Sequence, residues 1–309
     1  MIKFILFWAV ILGFFFTKIS PQYLYGYDAS LIDKVERLES IAEPKIVLIS
    51  NSNVAFGFRS ELIETAFGMP VVNMGLYGSI GNAFLEEMAK LNICEGDIIV
   101  ICHSSFDDND DFSEAQASLT WTTIENHLEL WKLLRWKDVP MMIKTFPTYL
   151  KKSINLYLNR TGNISTDSAY DRFSFNKYGD NIYSETHERY YDFLKDYPEG
   201  FTSSPPAISD ECVARINALN KYITEKGGIL LIAGYPIAYG EEYPDTKAFA
   251  DFKDQLNAKL ECIVISDYED YFYQYHYFFD THLHLTNEGA ILRTNQLIED
   301  LKNYLNTLL

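Results

Sequence analysis

The stretch Lys45-Ile-Val-Leu-Ile-Ser-Asn-Ser-Asn-Val-Ala-Phe-Gly57 joins a short apolar run to a polar cluster, Ser50-Asn-Ser-Asn53. The run predicts a buried strand, and the apolar spacing from about Arg59 to Phe67 predicts a helix after it. A serine at a sharp strand-to-helix turn has its hydroxyl held in the open. Amides of the turn and the helix start can then stabilise an oxyanion beside it. Ser52 is the candidate nucleophile, with Asn53 beside it. Against this stands the plainer reading of Ser and Asn after a strand as turn and cap residues.

Outward from this stretch the same alternation repeats. Leu31, Ile32, Val35, Leu38 and Ile41 have helical spacing before the first strand. Val71-Val-Asn-Met74, Asp97-Ile-Ile-Val-Ile-Cys102, Gly227 to Gly234 and Cys262-Ile-Val-Ile265 are further strand candidates. Amphipathic stretches lie between and after them at about Asn82–Leu91, Ile208–Glu225, Thr246–Leu260 and Asn287–Leu308. Apolar strands alternating with amphipathic helices predict a parallel sheet covered on both faces, with ligands at the carboxyl ends of the strands. The rhythm is lost between Ser104 and Pro206, a stretch rich in Trp, Tyr, Asn and Asp. We read residues 105–206 as a mainly helical insertion or cap, and residues 21–309 as one α/β domain carrying it.

The chain has 309 residues, 48% of them hydrophobic and 15% aromatic, which excludes a disordered or low-complexity protein. Lys and Arg number 26 against 43 Asp and Glu, a formal net charge of -17. That charge opposes a phosphate backbone, so no nucleic-acid partner is expected. The four cysteines are scattered with no C-x-x-C pair, which argues against a zinc ribbon, a redox centre or a disulfide scaffold. Phe4 to Phe16 is an apolar run flanked by Lys3 and Lys18, with no small-x-small cleavage site before Pro21. It predicts an uncleaved anchor over residues 1–20, ahead of a cleaved export signal or a buried core helix, and hence a single-pass attachment to the cell membrane with the remaining chain extracytoplasmic.

Two more clusters carry candidate chemistry. Asn73-Met-Gly-Leu-Tyr-Gly78 follows the second strand, where a glycine leaves an amide unobstructed for an oxyanion. Near the carboxyl end lies Asp280-Thr-His-Leu-His-Leu-Thr-Asn-Glu-Gly289. A carboxylate just before a histidine can fix the imidazole tautomer and support its protonated form, leaving the other nitrogen to take a proton from serine. Asp280 is thus the orienter, and His282 and His284 compete for the role of base. A metal site from these residues is disfavoured, because the chain has six histidines and no H-E-x-x-H. His103, after the third strand, is a candidate pocket residue. Asp107 to Asp111 lacks the glycine and distal glutamate of a calcium loop and reads as a solvated acidic turn.

In this order and spacing the clusters resemble the SGNH (GDSL-type) hydrolase superfamily. The chain is most similar to its extracytoplasmic, membrane-tethered branch, related to the D-alanyl-lipoteichoic-acid transfer protein DltD and the alginate O-acetyltransferase proteins. The likeness runs from Lys45 to the carboxyl end, excluding the insertion. It is carried by Ser50-Asn-Ser52, by Asn73-x-Gly75-x-x-Gly78, and by Asp280 with His284-Leu-Thr-Asn-Glu-Gly289. Ser50-Asn51 replaces the family's Gly-Asp before the serine, and its Gly-x-Asn-Asp block has no match in His103-Ser-Ser-Phe106. The usual Asp-x-x-His spacing would fall on Leu283. His284 is preferred for its continuation into the last helix, and His282 is the reserve.

The resemblance implies a flavodoxin-like three-layer sandwich on a five-stranded parallel sheet. It also implies acyl transfer by Ser52, His284 and Asp280, with the amides of Ser52 and Gly78 holding the oxyanion. Asn73 is a further candidate, and Ser104 a substitute donor for the missing Asn. No cofactor is implied. The expected substrate is a polysaccharide or acylated carbohydrate, with a membrane-bound O-acyltransferase as partner. The expectation from a different class is a non-catalytic member of the fold that binds glycan or assists such an acyltransferase. Tyr235, Tyr239 and the aromatics from Tyr268 to Phe279 fall near the predicted sheet edge, where rings can stack on sugars.

Overall fold

Five of the apolar runs form one parallel sheet in the computed structural model, which describes residues 2–108, 111–125, 127–188 and 203–307. Its strands are β1 (Ile46–Ile49), β2 (Val71–Asn73), β3 (Ile98–Ile101), β4 (Ile229–Ile232) and β6 (Ile263–Val264). They lie in the order β2-β1-β3-β4-β6. Ile46 pairs with Val71 on one side and Ile98 on the other, and Ile98 pairs in turn with Ile229. The chain winds one way from β1 to β2 and the other way from β1 to β3. A topological switch point is therefore created at the carboxyl ends of β1 and β3, where open α/β sheets form their crevice.

Alternation along the strands divides the core in two. Val47, Ile49, Ile99, Ile101 and Ile232 pack on one face. That face is covered by α2 (Ser30–Ser40), α5 (Asn82–Met88), α8 (Asp210–Glu225) and α9 (Thr246–Lys259) through Leu31, Leu85, Ile216 and Phe252. Ile46, Leu48, Ile98, Val100 and Leu231 face the other way, onto Ile63 of α4 (Ser60–Phe67) and Leu297 and Leu301 of α10 (Asn287–Asn306). Every residue of β1 and β3 is buried, as a parallel strand covered on both faces requires. The arrangement is compatible with a three-layer sandwich.

Two features depart from the sequence reading. A separate parallel pair, β5 (Ile237–Tyr239) with β7 (Phe272–Gln274), forms from segments too short to give a period. Around it Tyr235, Tyr268, Tyr271, Phe278 and Phe279 are buried, so these rings build core and present no stacking platform for a sugar.

Among the described residues, the α-helices of the expected insertion lie in its amino-terminal part. Its helices α6 (Glu114–Ile124) and α7 (Val139–Asn159) pack together around Trp121, Trp131, Phe146 and Tyr149. Residues 161–188 run as an irregular strap along the β2 edge, where the Asn73 amide donates to Tyr178 and the Asn181 amide to Ala55. Side chains shape this strap. Asn176 accepts from the amides of Tyr178 and Asp180, a local bond that competes with regular structure. Residues 189–202 of the insertion lie outside the described residues.

At the amino end, α1 (Ile2–Phe14) continues into a π-helical turn, Phe15–Ile19. Leu6, Phe7, Val10 and Phe14 on α1 are exposed. Among the described residues no helix is long and apolar enough to cross a membrane.

Candidate active site

The chain leaves β1 and turns into a one-turn helix, α3 (Ser52–Ala55), within two residues. Asn51 makes the turn possible. It caps α3, its Oδ1 accepting from the Asn53 amide at 2.9 Å and from Asn53 Nδ2 at 2.7 Å. Asn53 also donates to the Cys102 carbonyl, tying the turn to the end of β3. From below, the buried Arg293 donates to the Asn53 carbonyl at 2.6 Å and to Asn53 Oδ1 at 2.9 Å. Gly57 is required here, since a Cβ would stand 2.2 Å from both the Asn53 carbonyl and Arg293 Nη1. Ser52 is thus presented half-exposed on a buried, bonded support.

The facing loop is closed just as tightly. Phe279 N donates to the His284 carbonyl and Thr286 N to the Tyr277 carbonyl. Thr281 Oγ1 accepts from the amides of Leu283 and His284, folding the segment so that residues 280 and 284 face one another. Thr286 then caps α10. Arg59 bonds Asn287 at the start of that helix and also pairs with Glu185 of the strap.

Residues 232 apart in the chain now meet. His284 Nε2 lies 2.7 Å from Ser52 Oγ, and His284 Nδ1 lies 2.7 Å from Asp280 Oδ1. The imidazole is buried and stacks flat on Phe56, with 4.0 Å between ring centroids and 5° between planes. Phe56 therefore fixes the ring's tilt while Asp280 fixes its rotation. The arrangement is a hydroxyl, an imidazole and a carboxylate in series, able to move a proton off the serine and support the resulting imidazolium.

Sequence reasoning missed one member. Tyr170, from the strap, donates to Asp280 Oδ2 at 2.6 Å, and its hydroxyl is 3.5 Å from His284 Nδ1. No motif surrounds Tyr170, and no local signal distinguishes it from the chain's other tyrosines.

The remaining candidates separate by what they touch. Gly78 packs against Asn51, so its loop lies beside the nucleophile turn. Among the described residues no acceptor engages the amides of Ser52 or Gly78, which leaves both donors available. Asn51 Nδ2 donates to Ser104 Oγ at 3.0 Å, linking the turn after β1 to the loop after β3. Asn53 and Asn73 are structural. Asn73 donates to the Val54 carbonyl and to Asp180, and accepts from Gly75 N.

His103 is fully buried and lines no opening. It bonds Ser50 Oγ at 3.0 Å and Glu86 at 3.3 Å, with Arg215 bridging Glu86 from the other side. Burial opposes ionisation of Glu86, but the bonds from His103 and Arg215 outweigh it and hold the carboxyl below its usual range. His282 is half-buried, and burial followed by the nearby His284 lowers its pKa. His284 holds the position beside Ser52.

A cavity of about 310 Å³ opens beside Asn51 and Gly78, with Asn82, Ser105, Asp108 and Gln116 on its walls. Among the described residues no group of acidic, His and Cys side chains is arranged to hold a metal ion. Comparison with family models, with curated proteins and with solved structures gives no match for the chain.

Proposed function

We propose that this chain is a serine esterase or O-acyltransferase of the SGNH (GDSL-type) kind. It would be held at the membrane by its amino-terminal helix and act outside the cell membrane on cell-surface or exported polysaccharide. The observation that carries the reading is Ser52 Oγ at 2.7 Å from an imidazole whose other nitrogen is 2.7 Å from a buried carboxylate. In this mechanism Ser52 Oγ attacks the acyl carbonyl while His284 Nε2 takes its proton. Asp280 stabilises the imidazolium, and the amides of Ser52 and Gly78 face the oxyanion. Collapse expels the alcohol, which takes the proton back from His284, and leaves Ser52 acylated. Water or a sugar hydroxyl, deprotonated by His284, then releases the acyl group.

The cavity beside Gly78 supports a carbohydrate as the substrate. Its amide, hydroxyl and carboxylate lining can exchange hydrogen bonds with a polyol. A membrane-bound O-acyltransferase is the partner this role calls for, as supplier or recipient of the acyl group.

Fluorophosphonate labelling of the native full chain tests the reading. Covalent labelling that disappears in both Ser52→Ala and His284→Ala is expected. A native chain that stays unlabelled at neutral and alkaline pH would instead support a non-catalytic, glycan-binding role.

A further inference from the structure

The acidic excess of this chain is reversed in one place. Between residues 131 and 160 stand seven lysines and arginines against a single carboxylate, Asp138. This segment holds α7, which carries Lys144, Lys151 and Lys152 and no acidic residue. Apolar side chains are exposed on the same stretch: Trp136 at 92%, Leu158 at 72% and Ile143 at 68%. Exposed Ile143 and Leu158 interleaved with Lys on one amphipathic helix, with Trp136 exposed in the turn that leads into it, is the composition of a surface that enters the headgroup layer of a bilayer.

Position agrees with composition. The exit of the amino-terminal helix is clamped to this platform. Phe16 packs on Trp121, Trp131 and Phe146, and Phe15 on Phe146 and Tyr149. Ser20 bonds Tyr149, and Glu125 accepts from the amides of Gln22 and Tyr23. With no slack at this joint, a bilayer that holds α1 also meets α7.

At the joint is a groove of about 500 Å³, lined by Lys18, Pro21, Gln22, Tyr157, Leu158, Arg160 and Asn163. Among the described residues no ion pair joins Lys18 or Arg160 to a carboxylate. Arg160 also ends α7 in the left-handed conformation, φ 56°, where glycine is the usual residue.

We infer that this groove binds the phosphate of an anionic phospholipid through Lys18 and Arg160, seating α7 on the membrane surface. Tyr157 and Leu158 then enter the interface beside the headgroup. This rests on the membrane attachment proposed above and is independent of the chemistry at Ser52.

The test uses the full chain in lipid nanodiscs of phosphatidylcholine alone or with phosphatidylglycerol. An environment-sensitive fluorophore is placed at Leu158→Cys in a Cys94→Ser background. With phosphatidylglycerol, the label's emission shifts to the blue and is quenched by nitroxides near the headgroup. Two cations at an anionic surface, at about 1 kcal/mol each, should favour phosphatidylglycerol about thirtyfold. Lys18→Glu/Arg160→Glu should abolish that preference while the chain stays with the disc. Inorganic phosphate without lipid should leave the emission unchanged. A label equally wet in both discs, or equal quenching unaffected by the double variant, overturns the inference. A chain that fails to remain with lipid at all overturns the membrane attachment as well.

Discussion

Tyr170 Oη donates a 2.6 Å hydrogen bond to Asp280 Oδ2, the carboxylate oxygen opposite the one that faces His284. The carboxylate is thereby held between the strap and the imidazole. The phenol fixes the rotation of the carboxylate, so that its other oxygen stays aimed at His284 Nδ1. Tyr170→Phe keeps the ring contacts with Phe56 and Tyr27 and removes only the donor. A bond to a charged group is worth about 1.5–3 kcal/mol, so kcat/KM for an aryl ester should fall about tenfold or more. A lowered melting temperature with native kcat/KM would reduce Tyr170 to a packing residue.

Asp280→Asn preserves shape at the centre of the series while removing its charge. The amide can present an N–H to His284 Nδ1, favouring the tautomer whose Nε2 carries the proton and cannot accept one from Ser52. Turnover should fall about 10³–10⁴-fold, with thermal stability changed little. Stopped-assay rates against the native chain, and labelling by fluorophosphonate, measure this directly.

Gly78→Ala examines the proposed oxyanion site. The added methyl would lie 3.1 Å from Asn51 Cβ, tighter than an ordinary contact, so the capping side chain must give way. Asn51 holds both the α3 cap and the bond to Ser104, and its displacement should misplace the Ser52 and Gly78 amides together. Loss of one such donor costs about 10²–10³ in kcat, and Gly78→Ala should approach the lower figure with KM nearly constant. A variant with native kcat would remove Gly78 from the site.

Much of this site was legible because its parts are local. Ile46–Ile49 and Ile98–Ile101 are short apolar runs rich in β-branched residues, which read as buried strands by their length and composition, and each ends in a polar cluster that reads as a loop. Ser52 follows from that placement, and Asp280 from its position just before two histidines on the loop that enters the last helix. The preference for His284 over His282 comes from the resemblance in His284-Leu-Thr-Asn-Glu-Gly289, while the Thr281 turn and the flat contact with Phe56 that seat the ring are not visible in residue spacing. Tyr170 was invisible for a different reason. It lies 110 residues from Asp280, in a strap whose course is set by single Asn and Asp side chains instead of a repeating pattern. His103 was read as a pocket residue because it follows a strand, but its place beneath the sheet edge is fixed by Glu86 and Ser50.

The joint below the amino-terminal helix carries its own pH signature through Glu125. Burial pushes its carboxyl up to about 7 from the usual 4.5, against the lowering effect of bonds from Tyr149, Gln22 and Tyr23. The folded chain therefore holds this proton more tightly than the unfolded chain. Its contribution to stability is full below pH about 4.5 and is lost as pH rises through about 7. At about 1.4 kcal/mol per unit the contribution is at most about 3.5 kcal/mol. Glu125→Gln cannot ionise yet keeps an acceptor for the two amides, so it should flatten this part of the stability–pH curve and be the more stable form at pH 8. Denaturant midpoints of both proteins between pH 4.5 and 8 measure the difference. Parallel curves would mean that Glu125 is ionised throughout, with its charge borne by the three donors around it.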